Sequence, residues 1–455
     1  MPEPQRPHVA VLGGGITGLA AAWYLRDKAD VTVLEGSDRL GGKIRTERFA
    51  GLDVDVGPDS FLARIPYAAD LCRDIGLGDD LVTPATGKAY IWTRGKLRPI
   101  PEATVLGVPS RLRPLAKSGV VSRRGVARAA LDAVLPRPRS CSDDRSITDV
   151  VGARFGREVV DRLVDPLLGG IHAGRSDRLS LDTNAPDVAH AARSRSLMKG
   201  LREHLAGAPS SGPVFLTIRQ GLGALVDRLE KELRAQGVDI WREHPVTWLE
   251  RKEDGRYRVG PSIVADAVIV AVPAPAAARV LERGRADVAA VLRGVNHSSV
   301  VTVTLAYPKM RMPLDGSGFL VPRVDGRLLT ACTWLSAKWS HLDAGRYTVL
   351  RASAGRYGDE RSLHVDDGAL VDHLHSELAD AMGLTARPVD ARVDRWHDGF
   401  PQYEPGHGER IMQIEGALHD IPGVAIAGAA YRGVGITSCI QQGAQAAAEV
   451  GKLLS

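Results

Sequence analysis

His8 to Leu12 is a short run of apolar positions, followed at once by the glycine-rich Gly13 to Gly18 and then by small and apolar residues at helical spacing, Leu19 to Arg26. Val31 to Leu34 is a second apolar run, so the chain opens on a predicted strand–helix–strand unit. Phe215 to Trp241 predicts strand, helix and strand again, and Val246 to Val259 a hairpin around Asp254-Gly255. Ala267 to Val272 is uninterruptedly apolar, as in a buried parallel strand. Val300 to Ala306 alternates β-branched residues, and runs around Phe319, Leu329 and Tyr347 add strands to a mixed sheet. Leu363 to Met382 reads as an amphipathic helix. Val424 to Ala427 is a last buried strand, which meets a glycine-rich turn and a closing helix from Thr437 to Leu453. Between the halves, helical periods run from Ile147 through Leu205. No repeat or low-complexity tract interrupts the pattern.

Alternating helices and strands over 455 residues, 44% of them hydrophobic, predict α/β or α+β layers in two or three domains. The charged fraction of 25% excludes wholesale disorder. A net charge of +5 suits an acidic small substrate, an anionic cofactor or an anionic surface. It is too mild for nucleic acid, and no aromatic and basic stripe is present to stack bases. The basic residues concentrate at Arg111, Arg113, Lys117, Arg123, Arg124 and Arg128, a stretch without an acid before Asp132; Pro136 and Pro138 end it, and Ser140 to Ser146 reads as a loop. That stretch could touch anionic lipid or steer a carboxylated substrate. Cys72, Cys141, Cys332 and Cys439 form no C-x-x-C, which fits a reducing cytosol and excludes a dithiol or zinc ribbon. Met1 to Pro7 is polar and carries no expected signal peptide, and no uninterrupted run of about 18 apolar residues predicts a spanning helix. His373 and His375 form an H-x-H on a solvated helix, not an expected metal site.

The chemistry begins at Gly13-Gly14-Gly15-Ile16-Thr17-Gly18, a G-x-G-x-x-G between strand and helix. Its glycines allow a tight turn, close approach of a diphosphate and close helix packing, and the helix start supplies free N–H groups. Glu35 ends the second strand at the spacing of a carboxylate that grips ribose hydroxyls. The following Gly36, Arg39, Gly41, Gly42 and Lys43 form a basic loop able to fold back over the same diphosphate. At the other end of the chain, Gly428 to Ile436 precedes the closing helix, whose start favours negative charge. A second nicotinamide fingerprint is missing, since Gly221-Leu222-Gly223 lacks the full pattern.

The loop Arg39 to Lys43 together with the terminal turn resembles the amine oxidase clan of FAD enzymes. Within it, several stretches resemble the bacterial porphyrinogen oxidases of heme synthesis: Gly13 to Ala22, Gly57-Pro58-Asp59-Ser60-Phe61-Leu62, Pro166 to Gly174, Leu179-Ser180, Val270 to Pro273, Arg395-Trp396, and Gly433 to Ile436 with Cys439 to Gly443. The resemblance implies a noncovalent FAD held by Gly13 to Gly18, Glu35, Gly36, Arg39, Gly42, Lys43, Gly57, Pro58, Asp59, Ser60, Val246, Trp396, Val434, Gly435 and Ile436. Val246 would offer its backbone to adenine from the hairpin, and Trp396 would lie beside the flavin. It further implies a six-electron oxidation of a porphyrinogen in a flat apolar slot, with oxygen as acceptor, peroxide as by-product and little acid–base machinery. Coproporphyrinogen III is favoured over protoporphyrinogen IX because Ala89 stands where mitochondrial relatives place an arginine. Amines and polyenes are the alternative substrates of the clan, and a redox sensor the non-enzymatic alternative. Arg64, Lys88, Gly169, Gly170 and Arg175 are the substrate-side candidates. The expected location is cytoplasmic and peripheral to the membrane, with contacts to other heme-synthesis enzymes.

The expected architecture is a Rossmann-type FAD domain from residues 1–62, 211–290 and 393–455, a mixed-sheet substrate domain from 63–100 and 291–392, and a helical, membrane-facing insertion from 101–210.

Overall fold

The structure is a computed structural model and describes residues 6–136, 144–207, 212–312, 315–343 and 345–454. Met1 to Gln5, Cys141, Pro138 and the first part of the expected loop at 140–146 lie outside the described residues. The elements that build the two large sheets are, in chain order, β1 (His8–Leu12), α1 (Ile16–Leu25), β2 (Asp30–Leu34), α2 (Tyr67–Asp74), β3 (Tyr90–Thr93) and β4 (Lys96–Pro99). There follow α3 (Asp165–His172), α4 (Gly223–Ala235), β5 (Asp239–Trp241), β6 (Ala267–Val270), β7 (His297–Pro308), β8 (Gly318–Leu320) and β9 (Leu329–Thr333). β10 (Tyr347–Ala354), α5 (Asp367–Met382), β11 (Asp390–Pro401), β12 (Val424–Ile426) and α6 (Ile436–Leu453) complete the set.

The first sheet runs in the order β5-β2-β1-β6-β12 with every pair parallel. Its strands carry apolar residues on both faces because helices cover one side and a small antiparallel meander with two helices the other. Val9, Val11, Val31 and Val33 face α1, α4 and α6, while Ala10, Leu12, Val268 and Val270 face the meander, Leu249–Arg251, Tyr257–Val259 and Ile263–Ala265. The expected hairpin is therefore three strands, and Val246 precedes it, half-buried, rather than lying within it.

α2 also packs into the α1–α6 layer, through Ala68, Ala69, Leu71 and Cys72. The strand Phe215–Ile218 stays outside the parallel sheet and pairs antiparallel with Phe61–Leu62 and Leu81–Val82. Its two neighbours in the expected strand–helix–strand unit, α4 and β5, do join the parallel layer.

The second sheet has the order β11-β7-β10-β9-β8-β3-β4, antiparallel except for β8 with β3. One face is closed: Val303, Ala352, Cys332 and Phe319 form a row across four strands, none more than 2% exposed. α5 covers this face with Leu370, Leu374 and Leu378. Asp366 caps that helix by accepting from Ala369 N at 3.0 Å, so it starts later than the apolar pattern from Leu363 predicts. The described residues between 112 and 207 are largely helical, with their own apolar core around Leu115, Phe155, Leu163 and Leu201.

Candidate functional site

α1 and α6 lie side by side and point the same way. A Cβ on Gly443 would sit 2.4 Å from Thr17 O, and one on Gly451 would sit 4.0 Å from Leu25 Cδ2, so both helices advance together. Each begins at a glycine in extended conformation, Gly15 and Gly435; neither has a side-chain cap or an acid in its first turn. Two sets of free N–H groups and two positive helix ends thus converge from opposite ends of the chain. A Cβ on either glycine would meet nothing within 4 Å. The space before both helix starts is open, and its donors suit an anionic group with a flat ring system, so the residues present fit a flavin dinucleotide.

Glu35 closes the first turn. Its Oε2 accepts from Gly14 N at 2.7 Å, and its Oε1 accepts from Ser37 N and Ser37 Oγ, both at 2.8 Å. The segment carrying Val246 runs alongside, with His244 N donating to Glu35 O at 2.8 Å and Pro245 packed 3.6 Å from the position of a Gly36 Cβ. The loop after Glu35 returns to the first turn: Gly41 N donates to Gly14 O at 2.8 Å, and a Cβ on Gly42 would lie 3.5 Å from Gly15 Cα. Arg39 braces that loop from within by donating to the carbonyls of Leu40 and Gly42, at 3.1 and 2.6 Å. Arg39 thus shapes the loop expected to cover the diphosphate.

Lys43, Gly57 and Trp396 meet where the two sheets face each other. A Cβ on Gly57 would fall 2.2 Å from Lys43 O and 3.5 Å from Trp396 Cζ2. Trp396 donates through Nε1 to Thr302 Oγ1 at 3.2 Å, and Thr302 donates to Val56 O at 3.1 Å, which ties β11 and β7 to the loop 56–60. Burial pushes the Lys43 pKa down. The Asp59 carboxylate is taken up inside the protein. Lys338 Nζ donates to both of its oxygens, at 3.0 and 2.9 Å, Trp339 Nε1 donates at 3.3 Å, and Arg351 lies 3.4 Å away. Burial would raise its pKa, but Lys338 and Arg351 outweigh that and hold it well below the carboxylate range. Ser60 donates to Asp59 at 3.1 Å, and Pro58 remains half-buried beside it.

The turn before α6 is suspended from side chains. Tyr403 Oη donates to Ala429 O at 2.5 Å and accepts from Gly433 N at 2.9 Å. Gln442 Oε1 accepts from Arg432 N at 3.3 Å, and its Nε2 donates to Gly433 O at 3.4 Å. Val434 is half-buried and Gly435 exposed, while Ile436 is buried.

The open face of the second sheet supplies what the sequence did not reveal. Thr302, Ser353, Ala331 and Leu320 stand in register across four adjacent strands, and all four remain half-buried in mid-sheet. The opposite face is buried, so this row is the side of the sheet that remains accessible. A Cβ on Gly170 would lie 3.1 Å from Leu320 Cδ2, which brings the end of α3 against one end of this row. Gly169 is half-buried and Gly170 exposed. The alternating threonines of Val-Val-Thr-Val-Thr in β7 were the available signal. Of the candidate cations, Arg64 is exposed, Lys88 is exposed and bound to Asp315 at 2.6 Å, and Arg175 is bound to Asp177 at 2.6 Å. His373 and His375 diverge, toward Glu377 at 3.4 Å and Tyr307 Oη at 3.1 Å.

A family profile described as flavin containing amine oxidoreductase matches residues 16–451. A Bacillus subtilis (strain 168) protein named coproporphyrinogen III oxidase is 36% identical, covering 98% of each chain. One of the same name from Mycobacterium tuberculosis (strain ATCC 25618 / H37Rv) is 35% identical over 97% of this chain and 96% of its own. The crystal structure of an Exiguobacterium sp. 255-15 protein with a provisional protoporphyrinogen oxidase name superposes with a TM-score of 0.88 at 32% identity, covering 98% of this chain and 99% of that one. Since the profile runs from the start of α1 into the last turn of α6, the chain belongs to the flavin-containing amine oxidoreductase family.

Proposed function

We propose that the protein is an FAD-dependent coproporphyrinogen III oxidase, converting coproporphyrinogen III to coproporphyrin III with three molecules of oxygen reduced to hydrogen peroxide. The observation that carries this reading is the half-open row Thr302–Ser353–Ala331–Leu320 beneath α3, which ends beside Trp396, Gly57 and Lys43. A long, flat, mostly uncharged cleft suits a macrocycle. The names of the Bacillus and Mycobacterium relatives support the same substrate.

When bound, FAD supplies two-electron redox chemistry and the route of electrons to oxygen. The chain would hold it noncovalently with Gly13 to Gly18, Glu35, Gly36, Arg39, Gly42, Lys43, Gly57, Pro58, Asp59, Ser60, Val246, Trp396, Val434, Gly435 and Ile436. The α1 start would take the diphosphate, Glu35 the ribose, and the α6 start the electron-rich edge of the ring. Cys439 is buried beneath the α6 start, and burial pushes its thiol pKa up, which disfavours attachment through sulfur. The domain limits expected from the sequence are retained as a proposal, with α2 assigned to the FAD half.

No helix among the described residues is long and apolar enough to cross a membrane. We place the protein in the cytoplasm and peripheral to the membrane. Arg111, Arg113, Lys117, Arg123 and Arg124 are exposed beside Leu131 and Val134, which are 46% and 70% exposed. Such a surface suits anionic lipid and exchange of porphyrin with neighbouring heme-synthesis enzymes.

Purified protein mixed with coproporphyrinogen III in air should generate red porphyrin emission and peroxide well above an enzyme-free control. Equal rates with and without protein would reject the function. A faster rate on protoporphyrinogen IX would reassign the substrate, and peroxide from an amine alone would move the protein to another branch of the family.

A further inference from the structure

Arg356 is a buried cation without an acceptor. The residue is 5% exposed, its Nε is sealed from solvent with no hydrogen-bond partner, and its guanidinium makes no hydrogen bond or ion pair among the described residues. A buried guanidinium in that state is costly, and structures retain such groups where a ligand completes them.

The neighbouring acids are already engaged. Asp165, at the start of α3, accepts through Oδ1 from Ser176 N at 3.0 Å and Ser176 Oγ at 2.7 Å, and its Oδ2 lies 3.6 Å from Arg323 Nε. Asp359 accepts from Arg361 at 2.8 and 2.7 Å. Arg323 Nε is itself buried without a hydrogen bond, so two guanidiniums face one carboxylate, and the local balance is positive. Burial pushes the Arg356 pKa down, Asp165 and Asp359 push it up, and Arg323 and Arg361 push it down.

The position is the end of the cleft. A Cβ on Gly355 would lie 2.9 Å from Ser299 O and 3.4 Å from Val300 Cα, and Val300 pairs with Trp396. Tyr357 N donates to Ala173 O at 2.7 Å, just beyond the Gly169–Gly170 end of α3. Arg356 thus joins the two walls between which a macrocycle would enter.

We propose that Arg356 is a carboxylate-binding residue of the substrate cleft, its guanidinium taking one propionate of the porphyrinogen. The assignment rests on the function proposed above. It also separates Arg356 from Arg351, whose guanidinium is fully occupied by the protein. An arginine fork matches a carboxylate in two parallel hydrogen bonds, which positions as well as attracts.

The test compares wild type with Arg356→Gln and Arg356→Lys on coproporphyrinogen III and on its tetramethyl ester. For the free acid, R356Q should raise KM about tenfold or more with kcat changed far less. R356K should fall between, because it keeps charge but loses the fork. On the ester, wild type and R356Q should share one KM. Coproporphyrin III binding, followed by porphyrin fluorescence at equilibrium, should weaken in parallel with KM, while the flavin absorption spectrum stays that of wild type. An R356Q enzyme with wild-type KM and porphyrin affinity would overturn the assignment, as would an equal loss on acid and ester. If R356Q does not fold, a wild-type KM and affinity in R356K together with equal wild-type affinity for acid and ester would overturn it. A wild type inactive on every porphyrinogen would overturn the function and this assignment together, whereas an active wild type with an indifferent Arg356 sinks the assignment alone.

Discussion

Arg351 reaches from the middle of β10 to the carbonyl oxygen of Gly57, donating at 2.8 Å, and the same nitrogen donates to Asp55 O at 2.9 Å. A sheet strand thereby fixes the backbone that faces Lys43 and Trp396. Its other terminal nitrogen lies 3.4 Å from Asp59, whose remaining partners are Lys338, Trp339 and Ser60. Replacing Arg351 by leucine leaves two carbonyls and a half-paired carboxylate buried, and should lower unfolding free energy by about 2–4 kcal/mol. Urea denaturation reads the loss. If the loop is a cofactor wall, purified Arg351→Leu will also retain less flavin and show a shifted visible spectrum.

Gly15 separates folding from cofactor binding. Its φ is −70°, and a Cβ there would meet no protein atom within 4 Å, so Gly15→Ala should unfold within about 0.5 kcal/mol of wild type as apoprotein. The methyl would occupy the approach to the α1 start, and FAD affinity should fall tenfold or more. Gly18→Ala is the contrast, because its Cβ would fall 1.9 Å from Gly13 O and the apoprotein itself should be destabilised. Titration of apoprotein with FAD beside thermal unfolding distinguishes the two.

Tyr403 tests the terminal turn. Its hydroxyl is bonded on both sides, to Ala429 O and Gly433 N, and its ring stacks on His407 at 4.1 Å. Tyr403→Phe keeps the ring and should cost about 1–2 kcal/mol in stability. It should also loosen the start of α6, seen as faster amide exchange at Gly433 to Ile436 and a changed flavin spectrum.

Asp55 sets a pH dependence. Burial raises its pKa from 3.8 to about 6, against opposing bonds from Thr46 Oγ1 at 2.5 Å and Leu222 N at 2.9 Å. The folded state therefore binds a proton that the unfolded chain releases at lower pH. The stability from this proton is complete below the unfolded value and is lost as pH rises through about 6. Asp55→Asn can accept both bonds without charge. It should flatten the stability profile between about pH 4 and 7 and be on the order of 1–3 kcal/mol more stable than wild type above pH 7. Denaturation midpoints over that range check the sign.

The elements that hold the cofactor site were legible because they are local. The strand, glycine turn and helix from His8 onward, the acid at Glu35 and the glycine turn before α6 each declare their geometry within about ten residues. The cleft was not legible, because Thr302, Ser353, Ala331 and Leu320 share a face only through pairings between distant strands. The surroundings of Asp59 were not legible either, because Lys338 and Arg351, which engage its carboxylate, come from distant parts of the chain. Phe215–Ile218 looks like any apolar strand, and its antiparallel partners outside the parallel sheet were invisible without the fold.

The parallel sheet has one further consequence, which concerns biosynthesis. β1 is its middle strand and leaves the ribosome long before β12 and α6. The opening turn must therefore wait, half-covered, until α6 has been made and can lie against α1. Such long-range closure folds slowly and leaves the apolar flank of α1 exposed to wrong partners meanwhile. Cofactor capture is thus deferred until α6 has emerged, and a nascent chain stalled before α6 would carry a nucleotide fingerprint with half of its grip missing.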